Sequence, residues 1–240
     1  MAYLIYGIVK DPPHPEIDRN LTGFKGKPVC FVEAHGLCAA VSELEAEEGA
    51  PPVAELLAYA EVVEALHRSQ AVVPMRYGSF LDGIPAIRDL LRARYRQYET
   101  LLAELDGHVE MGIRIFLPER ECENISPEAT GIPDEKLAVN GRAYLALRKL
   151  HYQREEETFQ DRQAYIDRYM QAFTGLYARH RTETDTKNGA VILSLYFLAP
   201  ESAICRFRKN FEDIIAKEND EVILSGPWPP YNFVITDTSK

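Results

Sequence analysis

Hydrophobic residues recur along this chain with different periods, and each change of period marks an element. From Tyr3 to Lys10 the apolar positions fall on both sides of an extended chain, Leu4, Tyr6 and Ile8 on one face and Tyr3, Ile5 and Val9 on the other, which predicts a central strand. Asp11 to Lys27 carries Pro12, Pro13, Pro15, Gly23 and Gly26 without a sustained period and reads as a loop. Val29–Ala34 and Leu37–Ser42 predict a hairpin turning at His35-Gly36. From Val53 the period becomes helical, with Val53, Leu56, Leu57, Ala60, Val63 and His67 on neighbouring rows. Ile84, Ile87, Leu91, Tyr95, Tyr98, Leu102 and Leu105 form a second helical stripe, capped by Asp82, with Pro85 in its first turn and Asp106-Gly107 at its end. Val109, Met111, Ile113, Ile115 and Leu117 then alternate as a strand with one buried face. The order β-β-β-α-(β)-α-β describes an antiparallel-rich sheet with helices on one side, a modified ferredoxin-like unit over residues 1–118.

Between the two helical patterns lies Val72–Asp82, VVPMRYGSFLD. Pro74 forces Val73 towards extended geometry, so the arriving helix stops and a short buried strand follows. Arg76 sets a cation beside that strand, and Gly78 frees the backbone to turn back. Two readings stand for Arg76: it holds the turn through local acceptors, or it presents its guanidinium to a ligand.

Residues 119–136, punctuated by Pro127, Gly131 and Pro133, form a linker. In residues 137–240, Gly141–Glu157 places Tyr144, Leu147 and Leu150 inward, and Phe159, Ile166, Tyr169, Phe173, Leu176 and His180 follow at near-heptad spacing. These predict a long antiparallel helical pair whose stripe serves the chain itself or a second copy in self-association. Ala190–Leu198 reads as a central strand, Ile204 to Ile215 as an amphipathic helix, and Val222–Leu224 as a strand. The fold class is α+β in both parts. The chain closes on GPWPPYNFVI, where prolines stiffen the backbone around Trp228, the single tryptophan, ahead of a last strand from Asn232 to Ile235. Trp228 and Tyr231 then either cover a core edge or anchor another protein.

Composition narrows the function. Of 240 residues, 46% are hydrophobic and 27% charged, which suits a folded domain and not a disordered one. A net charge of -10 disfavours nucleic acid and anionic lipid. No apolar run reaches membrane-spanning length, and the apolar N-terminus reads as a strand and not a leader, so a cytoplasmic protein is expected. Cys30, Cys38, Cys122 and Cys205 form no CxxC pair, and the hairpin register puts Cys30 opposite Val41 and Cys38 opposite Glu33, on opposite faces. The acidic run Glu43–Glu48 lacks the Gly and Asn of a calcium loop. Nucleotide, hydrolase and zinc signatures are missing and the six histidines are scattered, so no catalytic, cofactor or metal residue is assigned and an enzyme is not expected.

YLIYGIV at the N-terminus, GLCAAVS, VVPMRYGSF, the GRAYL start at Gly141–Leu145 and the C-terminal GPWPPYNFV together resemble the gas vesicle protein GvpL/GvpF family, from one end of the chain to the other. The resemblance implies two α+β domains and an accessory or minor structural role in gas vesicle formation. Its implied partners are the major gas vesicle shell protein and other accessory proteins. It carries no catalytic residues. Arg76, Tyr77, Tyr144, Trp228 and Tyr231 are the candidate motif or partner-binding residues. The alternative is a ferredoxin-like small-molecule-binding or enzymatic domain using a cleft near Arg76.

Overall fold

The computed structural model describes residues 1–11, 13–14, 21–44, 51–117, 160, 162–187, 190–216 and 221–234. The linker 119–136, the helix expected at Gly141–Glu157 with Tyr144, Cys122, and most of the acidic run lie outside the described residues. The chain divides into two compact units, one comprising Met1–Met111, Tyr196–Ile204 and Ser225–Lys240, the other Gly112–Leu195 and Cys205–Leu224. Fold class is α+β with antiparallel sheets.

In the first unit, β1 (Ala2–Lys10), β2 (Cys30–Ala34), β3 (Leu37–Leu44), β4 (Val73–Pro74) and β5 (Phe80–Asp82) form one sheet in the order β2-β3-β1-β4, with β5 also on β1. β1 is central, as its two apolar faces predict. The hairpin register is also the expected one, Cys30 opposite Val41 and Glu33 opposite Cys38, leaving Cys30 exposed and Cys38 buried.

The faces of β1 are not those of simple alternation. A register shift between Ile5 and Gly7 inserts a bulge, so Leu4, Tyr6 and Val9 join one core cluster while Ile5 and Ile8 join the other. Gly7 sits at this bulge because a Cβ there would lie 2.7 Å from Val72 Cγ2 and 3.2 Å from the Val73 carbonyl. Past the bulge each side chain points to the opposite face from the one its spacing predicts.

The helices α1 (Val53–Ser69), α2 (Gly83–Ala93) and α3 (Tyr95–Leu105) cover both faces of the sheet, and not one side as the element order suggested. Tyr59, Val62, Val63 and Leu66 of α1 pack with Leu4, Tyr6, Cys38 and Ala40, whereas Ile87, Leu91, Tyr98 and Leu102 pack with Ile5, Ile8, Ala39 and Val41. α1 is also rotated from the expected stripe: Val53 is 72% and Leu57 59% exposed. Tyr59 sets that rotation, its hydroxyl lying 3.0 Å from the Ile5 carbonyl and 2.7 Å from that of Met75. The stripe expected as one helix from Asp82 to Leu105 is split at Arg94, whose φ of -111° and ψ of 18° leave helical geometry.

β6 (His108–Leu117), β7 (Arg179–Lys187), β8 (Ala190–Pro200) and β9 (Glu221–Trp228) form a second sheet in the order β7-β8-β6-β9, with β8 internal as expected. β6 does not have only one buried face: Glu110, on its polar side, is 5% exposed. In the second unit the helix α4, residues 162–172, ends before Leu176 and His180, and His180 belongs to β7. Gly175 stops it with a φ of 79°. Phe173 stacks on Phe207 of α5 (Ile204–Ile215) at 4.2 Å between centroids, and Asn210 Nδ2 donates to the Ala172 carbonyl at 3.0 Å. The last strand expected from Asn232 is instead a 3-10 turn over Tyr231–Phe233, since Phe233 N donates to the Pro230 carbonyl and Asn232 N is drawn elsewhere.

A candidate site where the central and C-terminal motifs meet

The stretch between β4 and β5 leaves β1 and returns to it. Met75 N donates to the Tyr6 carbonyl at 2.9 Å, and Ile5 N donates to the Ser79 carbonyl at 3.0 Å. Between these anchors the Arg76 carbonyl accepts from Ser79 N at 3.2 Å and from Ser79 Oγ at 2.8 Å. The closed turn fixes where Arg76 and Tyr77 project.

Tyr77 enters an aromatic cluster, with ring centroids 5.3 Å from Phe24, 5.6 Å from Tyr59 and 6.2 Å from Phe80. Tyr59 in turn lies 5.0 Å from Tyr6. A hydrogen-bond relay ties the loop after β1 to this cluster: Phe24 N donates to Tyr6 Oη at 2.9 Å, Tyr6 to Ser42 Oγ at 2.9 Å, and Ser42 to the Pro28 carbonyl at 2.8 Å. Every buried hydroxyl in that chain is thereby satisfied. Tyr231, half-buried, packs against the same cluster. Burial pushes its hydroxyl pKa well up, reinforced by the Glu64 and Glu110 carboxylates; Tyr59 is raised first by burial and then by Tyr231.

Arg76 projects to the C-terminal segment. Its Nη2 donates to Asn232 Oδ1 at 3.3 Å, while Asn232 donates from its backbone N to Glu110 Oε2 at 2.8 Å and from Nδ2 to Glu110 Oε1 at 2.7 Å. Both carboxylate oxygens of the buried Glu110 thus receive a donor from one residue. The approach to β6 is close enough that a Cβ at Gly226, where φ is 106°, would fall 2.6 Å from the Glu110 carbonyl oxygen. The arrangement is a clasp, Arg76 to Asn232 to Glu110, that seats the Pro-rich end beside the aromatic cluster. On the outside it leaves Phe80 and Trp228 each 45% exposed.

The clasp brings Arg76 and the Tyr231-Asn232 turn together and places Tyr77 in the adjoining aromatic cluster. Trp228 sits at the end of β9, partly exposed. Tyr144 lies outside the described residues. Glu110 and Asn232 carry no signal in the sequence: Glu110 falls on the alternate face with His108 and Arg114, where the pattern expects a polar residue in water, and only the fold shows it buried. Elsewhere, Asp11, Glu33 and Cys38 bring ligand-type atoms within 4.8 Å of one another. Burial, then Asp11 and Glu33, push the Cys38 thiol up to about 12, so it stands protonated.

Residues 2–235 match the model of the family described as gas vesicle synthesis protein GvpL/GvpF. The chain is 24% identical to gas vesicle protein F2 of Halobacterium salinarum over 95% of this chain and 90% of that one. It is 26% identical to gas vesicle protein F of a Streptomyces species over 98% of this chain and 100% of the relative. Among solved structures, the gas vesicle protein GvpF of Anabaena superposes with a TM-score of 0.77 at 18% identity, covering 98% of this chain and 96% of that one. GvpF of Microcystis aeruginosa does so with 0.76 at 17%, covering 98% and 99%.

Proposed function

Since the chain belongs to the gas vesicle synthesis protein GvpL/GvpF family, we propose that it is an accessory protein of gas vesicle assembly that binds the small hydrophobic shell protein before incorporation. The observation that carries this reading is the family match across almost the whole length, residues 2–235. A shell subunit with one face destined for gas exposes apolar surface in water and aggregates unless it is covered. An acidic partner of net charge -10 keeps such a complex dispersed. Among the described residues no helix is long and apolar enough to cross a membrane, and the place of action is the cytoplasm and the growing vesicle.

Trp228 and Phe80 supply aromatic contact, and the clasp spares the C-terminal segment some ordering cost on binding. Tyr231 and Arg76 act from beneath, Tyr231 by packing and Arg76 by holding Asn232. The guanidinium that a small-molecule reading would use is the one that donates to Asn232. The test is co-expression with the shell protein and co-purification, wild type beside Trp228→Ala. Soluble shell protein travelling with the wild type is the expected result, with less travelling with the variant. A folded wild type that retains none would end the proposal.

A further inference from the structure

We propose that a cleft at the C-terminal end of α3 docks a partner segment presenting an aliphatic side chain beside a lysine or arginine. The cleft, about 410 Å³, lies at the end of β1 and the hairpin turn, away from the clasp, and is lined by Lys10, Leu37, Gln70, Tyr95, Glu99 and Leu102 among others. Its volume falls in the range of formed ligand clefts, roughly 300–1,000 Å³.

The chemistry is asymmetric. Leu37 and Leu102, 2% and 7% exposed, with Ala71 and Ala103, give an apolar floor. Glu99 and Asp106 stand exposed on the α3 side. Glu99 is held in position because Tyr95 Oη donates to its Oε1 at 2.8 Å. The last turn of α3 carries no basic residue, so the negative end of the helix dipole adds to the two carboxylates. Among the described residues neither carboxylate is closed by an ion pair. One wall therefore attracts a cation next to an apolar floor whose open surface lies at the half-buried Ala71 and the exposed Ala103. Lys10, on the strand side, disfavours a second cation there and orients the entering segment. An aliphatic side chain over Leu37 and Leu102, with the methylene stem of a neighbouring Lys or Arg leading its head to Glu99 and Asp106, meets both demands.

This docking rests on the assembly reading, and two arms separate their failures. In the first, the full chain is co-purified with the shell protein as wild type, as Ala103→Trp, which fills the cleft from an exposed helix position, and as Glu99→Lys with Asp106→Lys. Thermal unfolding checks that each variant folds. The expected result is a loss of capture of about tenfold in both variants. Carbodiimide treatment of the wild-type complex should also join Glu99 or Asp106 to a partner lysine. Capture undiminished in both variants overturns the cleft and leaves the assembly reading standing. In the second arm, acetyl-Leu-Arg-Leu-amide and its neutral counterpart acetyl-Leu-Gln-Leu-amide are titrated into the isotope-labelled full chain. The cationic peptide should shift the amides of Leu37, Glu99 and Leu102, and the neutral one should shift them less. No shift with either peptide up to about 10 mM, an affinity too weak for any docking role, overturns the cleft whatever the shell protein does.

Discussion

Replacing Asn232 by alanine tests whether the clasp holds the C-terminal segment or merely decorates it. The substitution removes the Nδ2 donor 2.7 Å from Glu110 Oε1 and the Oδ1 acceptor 3.3 Å from Arg76, while the backbone N–H to Glu110 Oε2 remains. A hydrogen bond to a charged group is worth about 1.5–3 kcal/mol, and Glu110 is too buried for water to take the lost donor's place freely. Arg76 is exposed, so its bond adds only a few tenths of a kcal/mol. The sum is about 2–3 kcal/mol. For a chain of this size a loss of that magnitude lowers the unfolding midpoint by about 5–10 °C. Trp228, the single tryptophan, lies in the segment concerned, so its emission during urea titration reports on that segment directly. Asn232→Asp should lose more at neutral pH, because it sets a second carboxylate against Glu110. Arg76→Ala should lose less. A change below about 0.5 kcal/mol for Asn232→Ala, within the range of ordinary surface substitutions, would mean that the clasp does not hold the segment and would leave the buried Phe233 as the anchor.

Further outcomes follow from the core. Gly7→Ala should cost about 1–3 kcal/mol by urea denaturation, because its Cβ enters contact with Val72 Cγ2, and Val72→Ala in the same chain should recover part of it. Tyr59 and Tyr231 have folded pKa values raised above the ordinary 10.0, so their neutral forms favour folding: that stability is complete below pH 10 and is lost as pH rises towards the folded values. Denaturation midpoints should therefore fall from pH 9 to 11, less steeply in Tyr231→Phe. Iodoacetamide at pH 8 followed by mass spectrometry should label Cys30 and Cys205 in the folded protein and reach Cys38 only after unfolding, since Cys38 is buried with its thiol pushed up to about 12.

Much of this architecture follows from local pattern. The two apolar faces of Tyr3–Lys10 determine a central strand, and His35-Gly36 sets a hairpin whose register separates the faces of Cys30 and Cys38. Pro74 ends the approach to β4, and the stripe from Ile87 to Leu105 packs inward almost throughout. The blocks from YLIYGIV to GPWPPYNFV are also where the family is legible, because they are contiguous in sequence. These properties depend on residues a few positions apart, and the sequence determines them by itself.

Tertiary structure decided the rest. The rotation of α1 depends on Tyr59 finding the Ile5 and Met75 carbonyls, one of them 54 residues away. The reversed faces at the end of β1 depend on Gly7 meeting Val72 across the sheet. Asn232 forms a turn and not a strand because Glu110, 122 residues earlier, takes its N–H. A periodicity records which side chains share a face, but not which distant donor will find which acceptor. Those pairings exist only once the chain has folded, and they turn two separate motifs into one clasp.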